Sequence, residues 1–329
     1  MRMRPWMKAA ATGSLVLLLL TLPLLSACRG EEAAPTEQPE VTPPVVEVSE
    51  FEVVRDAVAD YLTHRAGNMK ASDLYMRIAE GDAPYIVSIR SAEHYAAGHI
   101  PGAVNLKFSE LTSLPKDEEI LVYCYTGQSG SFAAAVLGIL GYDVQNLLHG
   151  MAAWSADPNV FVKRFDPEKT PGNYRVETTP NIPTKTYPFP ELDNTTSTDP
   201  DEIIAAAAAT VSPKYITAAD LNMKIAENED MTIISVRSPE HYAAGHIPGA
   251  INIPPSNLID NLDKIDPDSP VYVYCYTGHT SAQIAALLQM LGYDAYSLKF
   301  GMCGWTSDKA VTAGKCFNPE TVKGYQVER

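Results

Sequence analysis

A ten-residue string, HYAAGHIPGA, stands at residues 94–103 and again at 241–250. A repeat of that length requires an internal duplication, and this constrains the fold before any other feature does: whatever one copy folds into, the chain folds into twice. The string YCYTG recurs too, at 123–127 and 274–278, so each copy carries one cysteine in one setting. Leu74, Arg90 and Asn105 match Leu221, Arg237 and Asn252 at an offset of 147. From Cys124 and Cys275 through Trp154 and Trp305 the offset is 151, so copy two holds four extra residues before its cysteine, around 261–269. The match continues to 174–177 and 325–328. Each unit has the ordinary size of one globular domain, which argues for two domains and against a solenoid.

Within each copy, short β-rich runs alternate with helical stretches. In copy one, Leu74, Ile78 and Ala79 share a face of a helix expected over 71–80 and stopped by Gly81. Strands are expected at 85–89, 103–106, 120–123 and 144–148, and helices at 129–140 and 151–155. Copy two repeats the order: a helix from Thr217, strands at 232–236, 250–253, 271–274 and 295–298, and a helix at 280–291. This alternation predicts an α/β class, each domain a small parallel sheet flanked by helices.

The ends of the chain read differently. Arg2, Arg4 and Lys8 precede an apolar run that ends in Leu25-Ser26-Ala27-Cys28, the pattern of an export signal. Its last four residues resemble the lipobox of bacterial lipoproteins, which implies cleavage before Cys28, lipidation of its sulfur and a membrane-anchored, extracytoplasmic protein. A plain secretory signal with an incidental cysteine is the alternative. The expected layout is a signal at 1–27, a disordered tether at 28–50, a first domain at 51–177, a linker or surface strap at 178–200 and a second domain at 201–329. The net charge of −15 and the lack of a basic stripe exclude nucleic acid as an expected partner. Cys303 and Cys316 lie in copy two alone; the matching positions of copy one hold Ala152 and Arg164. Outside the cytoplasm a disulfide between them is the default; two unrelated buried thiols, or Cys303 resolving a sulfur species on Cys275, are the alternatives.

The chemistry centres on the repeated cysteines. Each follows an apolar run expected to be a buried strand and precedes a helix by about five residues, with Tyr125, Thr126, Gly127, Gln128 and Ser129 between in copy one. Copy two has Tyr276, Thr277, Gly278, His279 and Thr280. Ligands bind beyond the carboxyl ends of parallel strands. Loop N–H groups and a helix N-terminus converging there favour negative charge, so a sulfur at that point is a candidate nucleophile. A buried structural thiol is the bland reading for one copy, and the repetition weakens it.

The strings 88–105, 124–129 and 150–154, with 235–252, 275–280 and 301–305, resemble the rhodanese family of sulfurtransferases in tandem. The resemblance implies a thiosulfate sulfurtransferase-like enzyme in which Cys275 or Cys124, with Cys275 favoured, takes a sulfane sulfur from a small donor of the thiosulfate or mercaptopyruvate class. It passes the sulfur to cyanide or a thiol, or to a protein acceptor, with no cofactor and no metal. A sulfur-carrier or redox-sensing module at the membrane is the alternative. No arginine falls between Cys124 and Leu140 or between Cys275 and Leu291, which excludes the phosphate clamp of the related phosphatases. Copy one departs from the family with Ser88 for the strand-end Asp, Tyr125 after the cysteine and His149 for a glycine; copy two departs with Ser235, Tyr276 and Phe300. Both sites read as poor in cations. Arg90 and Arg237 are expected at strand ends, orienting substrate and steadying the active-site rim through Glu93 and Glu240, or else forming purely structural salt bridges. His279 is a candidate for activating Cys275 or donating to substrate, with a solvated loop histidine as the alternative. His99 and His246 are expected to satisfy backbone groups, and Trp154 and Trp305 to cover the core.

Overall fold

The computed structural model describes residues 49–329. The signal at 1–27, Cys28 and all but the end of the tether lie outside the described residues. Helix α1 (Glu50–Thr63) is capped by the Ser49 side chain and buries Phe51, Val54, Val58 and Tyr61 along one face. The first repeat then runs β1 (Asn68–Met69), α2 (Ala71–Glu80), β2 (Tyr85–Ser88), α3 (Ala92–Ala97), β3 (Val104–Asn105), β4 (Ile120–Tyr123), α4 (Gln128–Ile139), β5 (Val144–Leu147), α5 (Met151–Trp154) and α6 (Pro158–Phe161). After α7 (Pro200–Ala209) the second runs β6 (Tyr215–Ile216), α8 (Ala218–Glu227), β7 (Thr232–Ser235), α9 (Pro239–Ala244), β8 (Ile251–Asn252), β9 (Val271–Tyr274), α10 (His279–Met290), β10 (Ala295–Leu298), α11 (Gly301–Trp305) and α12 (Lys309–Thr312).

Each repeat forms a five-stranded sheet, β1-β5-β4-β2-β3 and β6-β10-β9-β7-β8. Every strand pair is parallel. The central strands β4 and β9 are buried along their whole length, as parallel strands covered on both faces must be. Cys124 and Cys275 follow directly after these strands. The edge strands β1 and β6, two residues each, are too short for any hydrophobic period to mark.

Helices α4 and α10 are buried on nearly every side, because each lies between its own sheet and the other repeat. Phe132 and Ala135 of α4 share one core with Ala282, Ala285 and Ala286 of α10, and with α1 and α7. A Cβ on Gly138 of α4 would stand 2.6 Å from the Tyr61 ring, so α1 packs directly on that helix. Gln283 of α10 accepts from Arg65 and donates to the Ala66 carbonyl, adding a polar clasp between the repeats.

The tails are exchanged. The segment 174–177 follows the first repeat in sequence but lies on the second. The Trp305 indole N–H donates to the Arg175 carbonyl at 2.9 Å, and Tyr174 packs against the same indole with ring centroids 5.1 Å apart. Reciprocally, the Trp154 indole donates to the Gln326 carbonyl at 2.9 Å, with Tyr325 against it at 5.0 Å. Glu177 and His246 exchange both backbone hydrogen bonds, as do Glu328 and His99. The stretch 178–200 runs as a strap over the second repeat, where Tyr187 N–H donates to the Asp263 carbonyl, and over α1, where Phe189 stacks on Phe51.

Candidate active site

Each loop turns from strand to helix through one glycine. Gly127 has φ +80° and Gly278 φ +89°, left-handed values that glycine adopts without penalty. The reversal aims the start of α10 at Cys275, whose Sγ accepts from the Gly278 N–H at 3.1 Å and from the Ser281 hydroxyl at 3.5 Å. Cys124 holds the matching place, but Gly130 stands where copy two has Ser281 and supplies no hydroxyl. The cause lies one strand away: a Cβ on Gly130 would meet Asn146 Oδ1 at 2.1 Å. At the matching place in copy two, Ser297 is small enough to hydrogen-bond Ser281 at 2.9 Å. Both cysteines are buried.

A second glycine clamps each loop from behind. Met151 and Ala152 N–H groups donate to the carbonyls of Cys124 and Tyr125, and Met302 and Cys303 do the same for Cys275 and Tyr276. Gly150 and Gly301 must lack a side chain, since a Cβ there would stand 2.4 Å from the Cys124 carbonyl oxygen and 2.7 Å from that of Cys275.

Tyr125 and Tyr276 are held outward by the residue that opens the repeated string. His94 Nδ1 meets Tyr125 Oη at 2.7 Å, and His241 Nδ1 meets Tyr276 Oη at 2.5 Å. Lys163 lies 4.7 Å from the Tyr125 ring and Lys315 lies 4.0 Å from the Tyr276 ring.

Three expectations need correction. Arg90 and Arg237 do not form a substrate-facing rim, nor do they pair with Glu93 or Glu240. Both are buried, and their guanidiniums donate to carbonyls: Arg90 to Val160 and Gly98, Arg237 to Val311 and Gly245. They fasten the loop after each third helix to α6 or α12. The positive face of each lies under the tyrosine pair, 5.7 and 6.0 Å from Tyr123 and Tyr125 and 5.3 and 5.9 Å from Tyr274 and Tyr276.

His279 is neither a solvated loop residue nor positioned to act on Cys275. It reaches into the first repeat, where its Nε2 accepts from the His149 N–H at 3.2 Å while its Nδ1 meets Thr277 Oγ1 at 2.8 Å. Burial, with His149 nearby, pushes it down to about 3, so the imidazole is neutral at pH 7. Gln128 makes the reciprocal crossing, accepting from the Phe300 N–H at 3.2 Å. Each loop is thus braced by a side chain from the other. Thr126 and Thr277, one from each loop, line one small pocket together with His149 and Phe300.

A cleft of about 450 Å³ opens onto Cys124, and both repeats build it. Tyr125, Lys163 and Arg164 come from the first repeat; Tyr215, Lys299 and Phe300 come from the second. Tyr215 Oη meets Ser129 Oγ at 2.8 Å, and burial together with the nearby Cys124 pushes its ionisation strongly upward. The reading of both sites as poor in cations therefore fails at Cys124, because its cations arrive from outside the loop. Sequence inspection missed Lys163, Lys299 and Tyr215, which carry no local motif and converge only in the folded chain.

Cys303 and Cys316 form a disulfide. It does covalently what Arg164 does in copy one, where the guanidinium donates to the Ala152 and Ser155 carbonyls. In both copies the loop behind the cation-bearing lysine is thereby tied to the short helix that clamps the cysteine loop.

The rhodanese-like domain model matches residues 70–157 and 217–308. Over 93 residues the chain is 32% identical to the thiosulfate sulfurtransferase GlpE of Pseudoalteromonas translucida, covering 28% of this chain and 88% of that one. Over 108 residues it is 35% identical to an HTH-type transcriptional regulator of Mycobacterium tuberculosis, covering 32% of this chain and 47% of the relative, so it spans about half of that protein. Among solved structures, a rhodanese-like domain protein from Staphylococcus aureus is 35% identical over 28% of this chain and 90% of its own, with a TM-score of 0.27. A thiosulfate sulfurtransferase from Pseudomonas aeruginosa is 17% identical over 76% of this chain and 46% of its own, with a TM-score of 0.29.

Proposed function

This chain belongs to the rhodanese-like domain family, in two copies, and from that premise we propose that it is a sulfurtransferase working through cysteine persulfides. The observation that carries the reading is the loop at the head of α10, which places a backbone N–H and a hydroxyl on Cys275 Sγ. In the first half-reaction the cysteine sulfur attacks the outer sulfur of a donor such as thiosulfate. A new S–S bond forms, the donor's S–S bond breaks, and sulfite leaves with the bonding pair. The anionic terminal sulfur left on the cysteine is the kind of species that the loop N–H and hydroxyl stabilise. In the second, cyanide or a thiolate takes that terminal sulfur and the cysteine thiolate is released, so the two half-reactions balance without a redox partner. The same loop in the first repeat gives Cys124 the same chemistry, with less hydrogen bonding at sulfur and a cleft of about 450 Å³ before it.

The place of work we propose is outside the cytoplasm, with the chain held to a membrane by lipid on Cys28. The disulfide supports this compartment, since such bonds persist where the surroundings are oxidising. A protein acceptor at that surface is part of the proposal.

Intact-mass measurement of the chain before and after brief exposure to thiosulfate or mercaptopyruvate, then after cyanide, tests the reading. The expected result is a gain of sulfur that cyanide removes, halved or abolished in Cys275→Ser and Cys124→Ser. Readily alkylated thiols that gain no sulfur from either donor would refute turnover with these donors and favour the carrier or sensing role.

A further inference from the structure

The two cysteines occupy equivalent positions, yet their approaches differ in charge. Among the described residues, the cleft at Cys124 is lined by Lys163, Arg164 and Lys299 and by no carboxylate, in a chain of net charge −15. The residues matched by the repeat at Cys275 are Lys315, Cys316 and Leu148, which leaves one cation of three. Two of the cations at Cys124 are already engaged, Lys163 with the Tyr125 ring and Arg164 with two carbonyls. Even so, the enclosed Nε of Arg164 has no acceptor among the described residues. Lys299 is exposed and has no carboxylate partner among the described residues; it lies 5.9 Å from the Tyr215 ring, which forms the wall shared with Ser129.

We propose that anionic sulfur donors enter at Cys124, and that the second repeat completes this site by supplying Lys299 and Tyr215 as specificity-determining residues. The inference rests on the sulfurtransferase reading and deepens it by dividing the labour. Cys275 has the better-held sulfur and Cys124 the better field for a charged donor. A cleft of about 450 Å³ falls within the range of small-molecule sites, and Cys124 and Lys299 both line it, so one small donor meets both residues there. Without the second repeat the cleft loses Lys299, Tyr215 and Phe300, so the first repeat does not form this site by itself.

Two thiol reagents of similar size separate this claim from its parent. The full chain is treated with iodoacetate, an anion, and with iodoacetamide, which is neutral, and each cysteine is followed by peptide mass spectrometry. The iodoacetate-to-iodoacetamide rate ratio is expected to be higher at Cys124 than at Cys275 and to fall in high salt. Lys299→Gln, an exposed change that leaves the core intact, is expected to lower the ratio at Cys124 by about three- to tenfold, the effect of one nearby charge in a partly solvated cleft. The ratio at Cys275 stays unchanged. In turnover the same variant raises KM for thiosulfate more than it lowers kcat. Tyr215→Phe serves as the second variant and shifts donor preference at Cys124 with Cys275 unaffected. A Cys124 ratio indifferent to Lys299→Gln, or an equal change at both cysteines, overturns the proposal. Alkylation requires no sulfur transfer, so a chain that shows the ratio shift but gains no sulfur refutes the parent reading and leaves the anion cleft standing.

Discussion

Replacing His279 by Gln, the residue that copy one carries at the matching position, should make the fold less sensitive to acid by a calculable amount. An unfolded imidazole titrates near 6.5, whereas burial holds folded His279 at about 3. Between those values the unfolded chain binds a proton that the folded chain refuses. Acid therefore stabilises the unfolded state; the penalty is absent above pH 6.5, grows as pH falls and saturates below pH 3. At pH 5 it amounts to about 2 kcal/mol, and any folded value below about 4 gives the same figure. Glutamine does not titrate, and Gln128 already bridges the same interface from the other side. His149, pushed down to about 4 by burial, remains in the variant, so some sensitivity remains with it. Urea unfolding of both proteins at pH 7.5 and pH 5.0 tests this. The native chain should lose about 2 kcal/mol more than His279→Gln between the two conditions, the carboxylates contributing equally to both. Parallel losses would show that His279 is not held neutral between the loops.

Three further outcomes follow from the packing. Cys316→Ser opens a disulfide spanning 13 positions and should lower stability by about 3 kcal/mol in thermal melts, with reductant reproducing the loss in the native chain and doing nothing to the variant. Gly301→Ala places a Cβ 2.7 Å from the Cys275 carbonyl oxygen at φ +53°. A cost of about 1–2 kcal/mol from the backbone alone is expected, with slowed alkylation of Cys275 and normal alkylation of Cys124. Deleting residues 324–329 removes the acceptor of the Trp154 indole and the partner of His99. Hydrogen exchange should then accelerate around 99–104 and 151–155, in the first repeat, although the cut lies at the end of the second.

The sheets were legible from the sequence because their central strands are short apolar runs set between turns, and Ile120–Tyr123, Val271–Tyr274 and Ala295–Leu298 fall on their expected bounds. The cysteine loops were legible because strand, glycine and helix start are contiguous in the chain. The remainder depends on residues distant from one another. Lys299 and Tyr215 meet Cys124 only after two sheets pack through α4 and α10, and neither residue has a periodicity to betray it. Arg90 and Arg237 sit two residues past Ser88 and Ser235 at strand ends, a position that suggests ligand contact, but the carbonyls that capture them belong to α6, α12 and the loop before the next strand. His279 was misread for a related reason, since a loop residue four places after a cysteine suggests local chemistry and its partner lies in the other repeat.

The exchanged tails turn the duplication into a clasp. Each tryptophan finds its hydrogen-bond acceptor and its aromatic neighbour on a segment that leaves the opposite repeat. Severing the strap at 178–200 would cut the covalent link and leave the halves buckled to one another. A single copy of this unit, made alone, would present an indole with an unmet N–H and a loose tail seeking the same indole on a neighbour. Its simplest remedy is a twofold pair, so the architecture of the joined chain is that of a homodimer whose subunits have been threaded onto one polypeptide.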